Sequence, residues 1–283
     1  MPESPEVHAL TEALRSRLLD ARIVRIDLAE FRVWKSRDRR PETLAGAVIT
    51  DVTRAGKHTL VATDRGVLVI SYGRAGWARW HGDGSDDGDG GDTDGQRDEP
   101  PVVATLETDR DGPIRFADAA DWLSFSLALV EDAHTLPAIA ALGPDPARSD
   151  YTRADFDGVV VGRRKQLKAL LQEQKSFAGV GNAYSDEILH IAGLSPLAQA
   201  STLTEDERDR LYDALRSVLH DAVTARATVP IAHQKAAKTA AMRVHGRAHE
   251  ACPVCGGVIH DVPGSRGGAQ YCPGCQTSGV PLT

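Results

Sequence analysis

The chain has 283 residues, enough for two domains and a sizeable core without help from disulfides. No apolar run reaches the length of a membrane span, and the first residues lack the basic and apolar stretches of a signal peptide, so we expect a cytoplasmic protein that makes no use of a membrane. The net charge of −7 argues at face value against a polyanionic partner, but the stretch from Asp83 to Glu99 holds eight acids against Arg97 alone, which leaves the rest of the chain neutral.

The chain opens Met1-Pro2-Glu3-Ser4-Pro5-Glu6. Removal of Met1 would expose a proline amine beside a carboxylate, and a secondary amine is a nucleophile that needs no lysine. Taken alone, the same residues are also an ordinary chain start followed by a helix cap. Val7, Leu10, Leu14 and Leu18 fall at helical spacing and predict an amphipathic helix over 6–19. Alternating runs then predict strands over 23–28, 48–52, 59–62, 67–70, 77–80, 102–108 and 114–116, with Asp64-Arg65-Gly66 and Asp109-Arg110-Asp111-Gly112 as turns. Arg54-Ala55-Gly56-Lys57-His58-Thr59 enters one of these strands. Lys57 there fits a surface lysine at a strand end or a cation pointing into a cleft. Residues 82–101 are Gly/Asp-rich and nearly without apolar side chains, and we expect a disordered acidic insertion there. It would be a solvated spacer or a phosphate mimic competing for a basic groove.

After Leu142-Gly143-Pro144-Asp145-Pro146 the pattern turns helical, with helices predicted over 153–160, 164–172, 183–192 and 205–226. Thr204 followed by Glu205, Asp206 and Glu207 has the form of a capping box with acids at the positive helix end. Arg163, Arg164, Lys165, Lys168 and Lys175 concentrate positive charge before Gly179-Val180-Gly181-Asn182. Glycines there allow close backbone approach, and the amides of the following helix start, with the Asn182 side chain, would suit a phosphate. Cys252-Pro253-Val254-Cys255 and Cys272-Pro273-Gly274-Cys275 are two knuckles whose four thiolates suit the tetrahedral preference of one zinc ion. A closed four-sulfur site has no open position, so this zinc is expected to be structural. Arg266 sits at the tip between the knuckles as its only cation. The expected architecture is α+β and multidomain: a β-sandwich with a leading helix over 1–132, a helical domain over 133–242 and a zinc ribbon over 243–283.

Together these segments resemble the formamidopyrimidine-DNA glycosylase / endonuclease VIII family. Met1-Pro2-Glu3-Ser4-Pro5-Glu6-Val7 is similar to its N-terminal signature, and Arg54-Ala55-Gly56-Lys57-His58 to its hairpin lysine motif. Leu142-Gly143-Pro144-Asp145-Pro146 is similar to the hinge into its helical domain, and Gly179-Val180-Gly181-Asn182-Ala183-Tyr184-Ser185-Asp186-Glu187 to the turn of its helix–two-turn–helix element. Val244-His245-Gly246-Arg247 and the two knuckles are similar to its zinc ribbon.

The resemblance implies a bifunctional DNA glycosylase and abasic-site lyase of base excision repair, acting as a monomer near the bacterial nucleoid on double-stranded DNA with damaged bases or abasic sites. It implies that Pro2, freed of Met1, attacks C1′, expels the base and forms an imine. An amine of this kind has an ordinary pKa of about 8, so a useful fraction is neutral at physiological pH. Glu3 would shuttle protons. Lys57 and Arg266 would hold phosphates at the lesion, Lys168 and Asn182 would grip the backbone of the same strand, and the damaged nucleotide would leave the stack.

There are departures from the family pattern. The family arginine of the zinc hairpin falls on Gly267, with Arg266 one residue earlier. Arg74 stands where oxoguanine-type members insert a methionine, and their arginine-phenylalanine pair is absent. Trp77 and Trp122 are then expected to be core tryptophans before they are wedges, and 228–241 is short for a loop that covers oxoguanine. These departures point away from oxoguanine and toward an endonuclease VIII-like or divergent specificity. The alternative is a paralogue that binds damaged DNA without cutting it.

Overall fold

The computed structural model describes residues 1–80, 82–83, 100–110, 112–265 and 268–283. The chain forms two compact units, one of residues 1–140 with 226–234, the other of residues 141–225 with 235–283.

The first unit opens with helix α1 (Ser4–Leu18). Glu3 is its N-cap and Pro5 lies in its first turn, where a fixed φ and a missing N–H cost nothing, while Arg15 and Arg17 in the last turn face the negative end of the helix dipole. Two four-stranded antiparallel sheets follow. One runs β1-β6-β7-β5, from β1 (Ile23–Leu28), β5 (Gly76–Arg79), β6 (Val102–Thr108) and β7 (Ile114–Asp118). The other runs β2-β3-β4-β8, from β2 (Ile49–Ala55), β3 (His58–Thr63), β4 (Gly66–Ser71) and β8 (Ser126–Val130). Inward-facing residues of both sheets, such as Ile26, Leu106 and Phe116 with Val52, Leu68 and Ile70, share one core with Val7, Leu10, Leu14 and Leu18 of α1. A buried hydroxyl chain, Thr11 to Thr59 at 2.7 Å and Thr59 to Tyr72 at 3.1 Å, satisfies the polar atoms between α1 and the second sheet. The expected β-sandwich with a leading helix is what the chain forms. Strand β8 was not expected from the sequence, and a short helix α2 (Pro137–Ala140) closes the segment.

The second unit contains α3 (Arg153–Val160), α4 (Leu167–Leu171), α5 (Asn182–Ala192) and α6 (Glu205–Arg226), the last residue of α6 being counted with the first unit. Phe156, Leu170, Phe177, Tyr184, Ile188, Leu215 and Leu219 lie in one buried core. Helix α4 is shorter than predicted because the chain before it is extended: Gln166 forms an antiparallel bridge with Gln199, Leu167 N–H donates to Ala198 O at 2.8 Å and Ala200 N–H to Lys165 O at 2.9 Å. Helix α7 (Gln234–Ala241) occupies a stretch read from sequence as irregular. The ribbon consists of β9 (His260–Asp261) paired with β10 (Gln270–Tyr271), followed by α8 (Pro273–Gln276). Among the described residues no helix is long and apolar enough to cross a membrane. Most of the acidic stretch, residues 84–99, lies outside the described residues, as does Arg266.

Candidate active site and metal centre

Residues of the first unit gather the N-terminal candidates. Met1 is exposed, whereas Pro2 and Glu3 are buried. The Glu3 carboxylate accepts the N–H of Glu6, and the Glu6 Oε2 accepts the N–H of Glu3 at 3.0 Å, so two acids cap one helix start reciprocally. The β2–β3 hairpin turns at Gly56, whose φ of +54° places it in the left-handed region. Arg54 donates from Nη1 to Ser4 Oγ at 3.0 Å and to Gly56 O at 2.8 Å, which ties the hairpin to the first residue of α1. Lys57 follows that turn, and its Nζ lies 4.0 Å from Met1 Sδ. Burial holds the neighbouring His58 below the usual imidazole range against the opposing pull of its bond to Ala55 O, and the Lys57 charge adds to the lowering.

Two turns lie side by side at one end of the same sandwich. Gly73 has φ +54°, and a Cβ there would meet Ser124 O at 2.2 Å, so only glycine fits. The Arg74 N–H donates to Ser124 Oγ at 2.9 Å, and its side chain is exposed. The facing loop is organised by Asp118, whose carboxylate accepts the N–H of Ser124 at 2.7 Å, Phe125 at 2.8 Å and Ala120 at 3.1 Å. Burial works against the charged form of Asp118, but these bonds outweigh it and hold the carboxyl below its ordinary range. At the tip of this loop Trp122 is 83% exposed, which corrects its expected place in the core. Trp77 does pack against the core.

In the second unit the glycine turn is stapled by Gln174, which accepts the Gly179 N–H at 2.9 Å and donates to Val180 O at 2.7 Å. The Asn182 side chain donates to Gly268 O and accepts from Gln172 Nε2 at 2.8 Å. Lys168 is buried. Its ammonium donates to Asn182 O at 2.8 Å, Ser185 Oγ at 2.9 Å and Asp186 Oδ1 at 2.6 Å, one acceptor for each of its hydrogens. Asp186 also bonds His245 Nδ1 at 2.7 Å, and Glu187 accepts the N–H groups of Arg243, Val244 and His245. Helix α5 is thereby bound to the irregular segment that enters the ribbon. The basic residues read as one helical face are arranged differently: Arg163, Lys165 and Lys175 converge on Glu173 at 3.2, 2.8 and 3.4 Å. Hydrogen bonds from Lys165 first, then Ser176 and Lys175, lower the Glu173 pKa to about 2.

Cys252, Cys255, Cys272 and Cys275 bring their sulfurs within 4.8 Å of one another. Tetrahedral zinc with bonds of about 2.3 Å needs sulfurs roughly 3.8 Å apart. The 3.8 Å from Cys252 to Cys275 matches that spacing and the 3.4 Å from Cys255 to Cys272 is somewhat shorter, so small shifts of the four side chains would seat the ion. His190, buried on α5, places Nε2 3.3 Å from Cys252 Sγ.

Of the site residues expected from sequence, the structure collects Pro2, Glu3 and Lys57 in one place, Lys168 and Asn182 in another, and the four cysteines in a third, while Arg74 is tied through its backbone to Ser124 of the loop that carries Trp122. Glu6, Arg226, Asp186 and His190 were not singled out. Glu6 could have been found from the Glu3-x-x-Glu6 spacing, but the others depend on tertiary neighbours.

The formamidopyrimidine-DNA glycosylase N-terminal domain model matches residues 1–122, and the formamidopyrimidine-DNA glycosylase H2TH domain model matches residues 142–232. The formamidopyrimidine-DNA glycosylase of Rhizorhabdus wittichii is 34% identical over 287 residues, covering 98% of this chain and 100% of that protein. An uncharacterized formamidopyrimidine-DNA glycosylase-like protein of Mycobacterium tuberculosis is 42% identical over 146 residues, 52% of this chain and 91% of its own. The structure of Lactococcus lactis Fpg with a THF-DNA and an inhibitor superposes with a TM-score of 0.80 at 25% identity, over 97% of this chain and 99% of that one. With a sandwich led by a capped Pro-Glu terminus, a helical glycine turn and a four-cysteine ribbon in this order, the chain belongs to the formamidopyrimidine-DNA glycosylase / endonuclease VIII family of DNA glycosylases.

Proposed function

We propose that this chain is a bifunctional glycosylase and abasic-site lyase of base excision repair that removes an oxidised base from duplex DNA. The observation that carries the reading is the meeting of Pro2, Glu3 and Lys57: a buried Pro-Glu terminus with a lysine ammonium 4.0 Å from the residue that precedes it. Once Met1 is removed, the Pro2 nitrogen attacks C1′. The N-glycosidic bond breaks as the base leaves with a proton, and loss of the single amine proton gives an aminal at C1′. Glu3 then delivers a proton to the sugar ring oxygen O4′, the C1′–O4′ bond breaks, and the opened sugar is left joined to Pro2 as an iminium. The iminium acidifies C2′. Loss of that proton breaks the C3′–O bond and releases the 3′ phosphate, with Lys57 balancing the phosphate charge.

In this reading residues 1–132 carry the chemistry, and residues 133–242 with the ribbon 243–283 hold the duplex. Asn182 and the turn amides face the DNA backbone, and Lys168 serves that grip from within, by fixing the turn. Cys252, Cys255, Cys272 and Cys275 hold one structural zinc, which keeps the ribbon folded and supplies no chemistry to the reaction. Arg74 and the exposed Trp122 fill the place vacated by the extruded nucleotide, and Arg266 contacts a phosphate from the ribbon. The relatives solved with damage-bearing DNA, such as Lactococcus lactis Fpg with an abasic site and MutM with carbocyclic 8-oxo-G, support DNA of this kind as the substrate. The protein acts as a cytoplasmic monomer.

The test is borohydride trapping on abasic-site DNA after mass spectrometry has established the N-terminal residue. A covalent adduct with the Pro2-initiated protein and none with Pro2→Gly is expected. A wild-type protein that binds this DNA but forms no adduct would be the non-cutting paralogue.

A further inference from the structure

Behind the catalytic terminus lies a buried ion pair that the proposed chemistry does not itself use. Glu6 and Arg226 are 220 residues apart in sequence, yet both belong to the first unit. Arg226 Nε lies 2.7 Å from Glu6 Oε1, and the two side chains are 3% and 2% exposed. The other Glu6 oxygen, Oε2, accepts the Glu3 N–H at 3.0 Å. The Arg226 main chain is held as well: its carbonyl O accepts Gln234 Nε2 at 2.9 Å and the Val229 N–H at 3.1 Å.

We propose that Arg226 is a positioning residue for the reaction, acting through Glu6 on the Pro2–Glu3 peptide. The proposal rests on the imine reading above. The physical chain is short. The peptide joining Pro2 to Glu3 is planar, so the direction of the Glu3 N–H fixes the plane of the Pro2 carbonyl, and only the Pro2 Cα–C bond separates that plane from the pyrrolidine ring. That N–H is held by Glu6 Oε2. A carboxylate this deeply buried stays charged and still only while a cation faces it; deprived of Arg226 it takes up a proton or swings toward another donor. Either change weakens the bond to Glu3 and lets the nucleophile turn. Arg226 touches no reacting atom in this scheme, so its loss acts on rate and leaves DNA affinity alone.

The experiment measures the single-turnover rate of borohydride-trappable adduct on abasic-site DNA, and separately the affinity for an uncleavable abasic analogue, for wild type, Pro2→Gly, Arg226→Met, Arg226→Lys and Glu6→Gln. A misplacement of about 1 Å costs on the order of 100-fold in rate, and that is the fall expected of Arg226→Met, with affinity unchanged. Arg226→Lys, which restores the charge without the planar fork, recovers part of it. Glu6→Gln keeps an acceptor for the Glu3 N–H but not the charge, and covers the case in which Arg226→Met fails to fold; its rate must also fall, by less. Adduct formation at the wild-type rate by a folded Arg226→Met, or by Glu6→Gln if the former does not fold, overturns the proposal and leaves the imine reading standing. An equal loss of rate and of DNA affinity, with no recovery by lysine, also overturns it. If wild type forms no adduct, or Pro2→Gly traps equally, the imine reading fails and this proposal fails with it.

Discussion

Single side chains in this protein carry charge for different purposes, and pH separates them. Glu173, between Lys165, Lys175 and Arg163, has its pKa lowered from 4.5 to about 2. A depressed folded value means the carboxylate contributes stability above the unfolded pKa and loses that contribution as pH falls toward about 2. We expect Glu173→Gln to cost about 1 kcal/mol at neutral pH after solvent screening, and the gap from wild type to narrow steadily below pH 4.5 in urea unfolding. Lys168 is a different case. Its ammonium is the buried counter-charge of Asp186, so Lys168→Met should lose about 3 kcal/mol of stability by stranding that acid. A protein that merely bound DNA less well, with an unchanged unfolding midpoint, would contradict this. The chemistry of the terminus and of the cysteines was legible in the sequence because spacing alone encodes it. The sequence was silent on Asp186 and Arg226, whose meaning is a partner 18 or 220 positions away.

Elements were legible where periodicity was clean. The strands over 23–28 and 102–108 and the helices over 153–160 and 205–226 have the predicted limits. Strand β8 was missed because Ser126-Leu127-Ala128-Leu129-Val130 is nearly continuous in apolar residues and carries no alternation. Helix α7 was missed because its alanines and lysines bury little: only Gln234 is fully buried in it. Helix α5 serves more than one purpose. Its start follows the glycine turn, Asp186 and Glu187 bind the segment leading to the ribbon, and His190 reaches Cys252. A ring N–H given to a metal-bound thiolate steadies it, and losing such an outer partner costs roughly 10- to 100-fold in metal affinity. Loss of the proposed zinc from His190→Phe to a chromogenic chelator should therefore occur at correspondingly lower chelator concentration than from wild type, whether or not DNA is present.

On the scale of the whole molecule, the two units are not two halves of the sequence. Residues 226–234 return to the first unit, bringing Arg226 to Glu6 and Ile231 into the sandwich core. A fragment of residues 1–140 alone would keep both sheets but strand the Glu6 carboxylate and expose the Ile231 contact. We expect it to lack the sharp thermal transition of the full chain and to show poor amide dispersion by NMR; a cooperatively folding 1–140 fragment would refute this. The resemblance that led to the fold spans both units, but the returning segment has no motif, which is why it could not be read in advance.

The close approach of Gly73 to Ser124 has one more consequence. Because no Cβ can enter there, the turn bearing Arg74 and the loop bearing Trp122 are locked into one surface, while the identities of the two exposed side chains on it are not constrained by folding. Evolution can therefore retune this tip by changing residues 74 and 122 without penalty, provided that the hydrogen atom at the centre of the joint is never replaced.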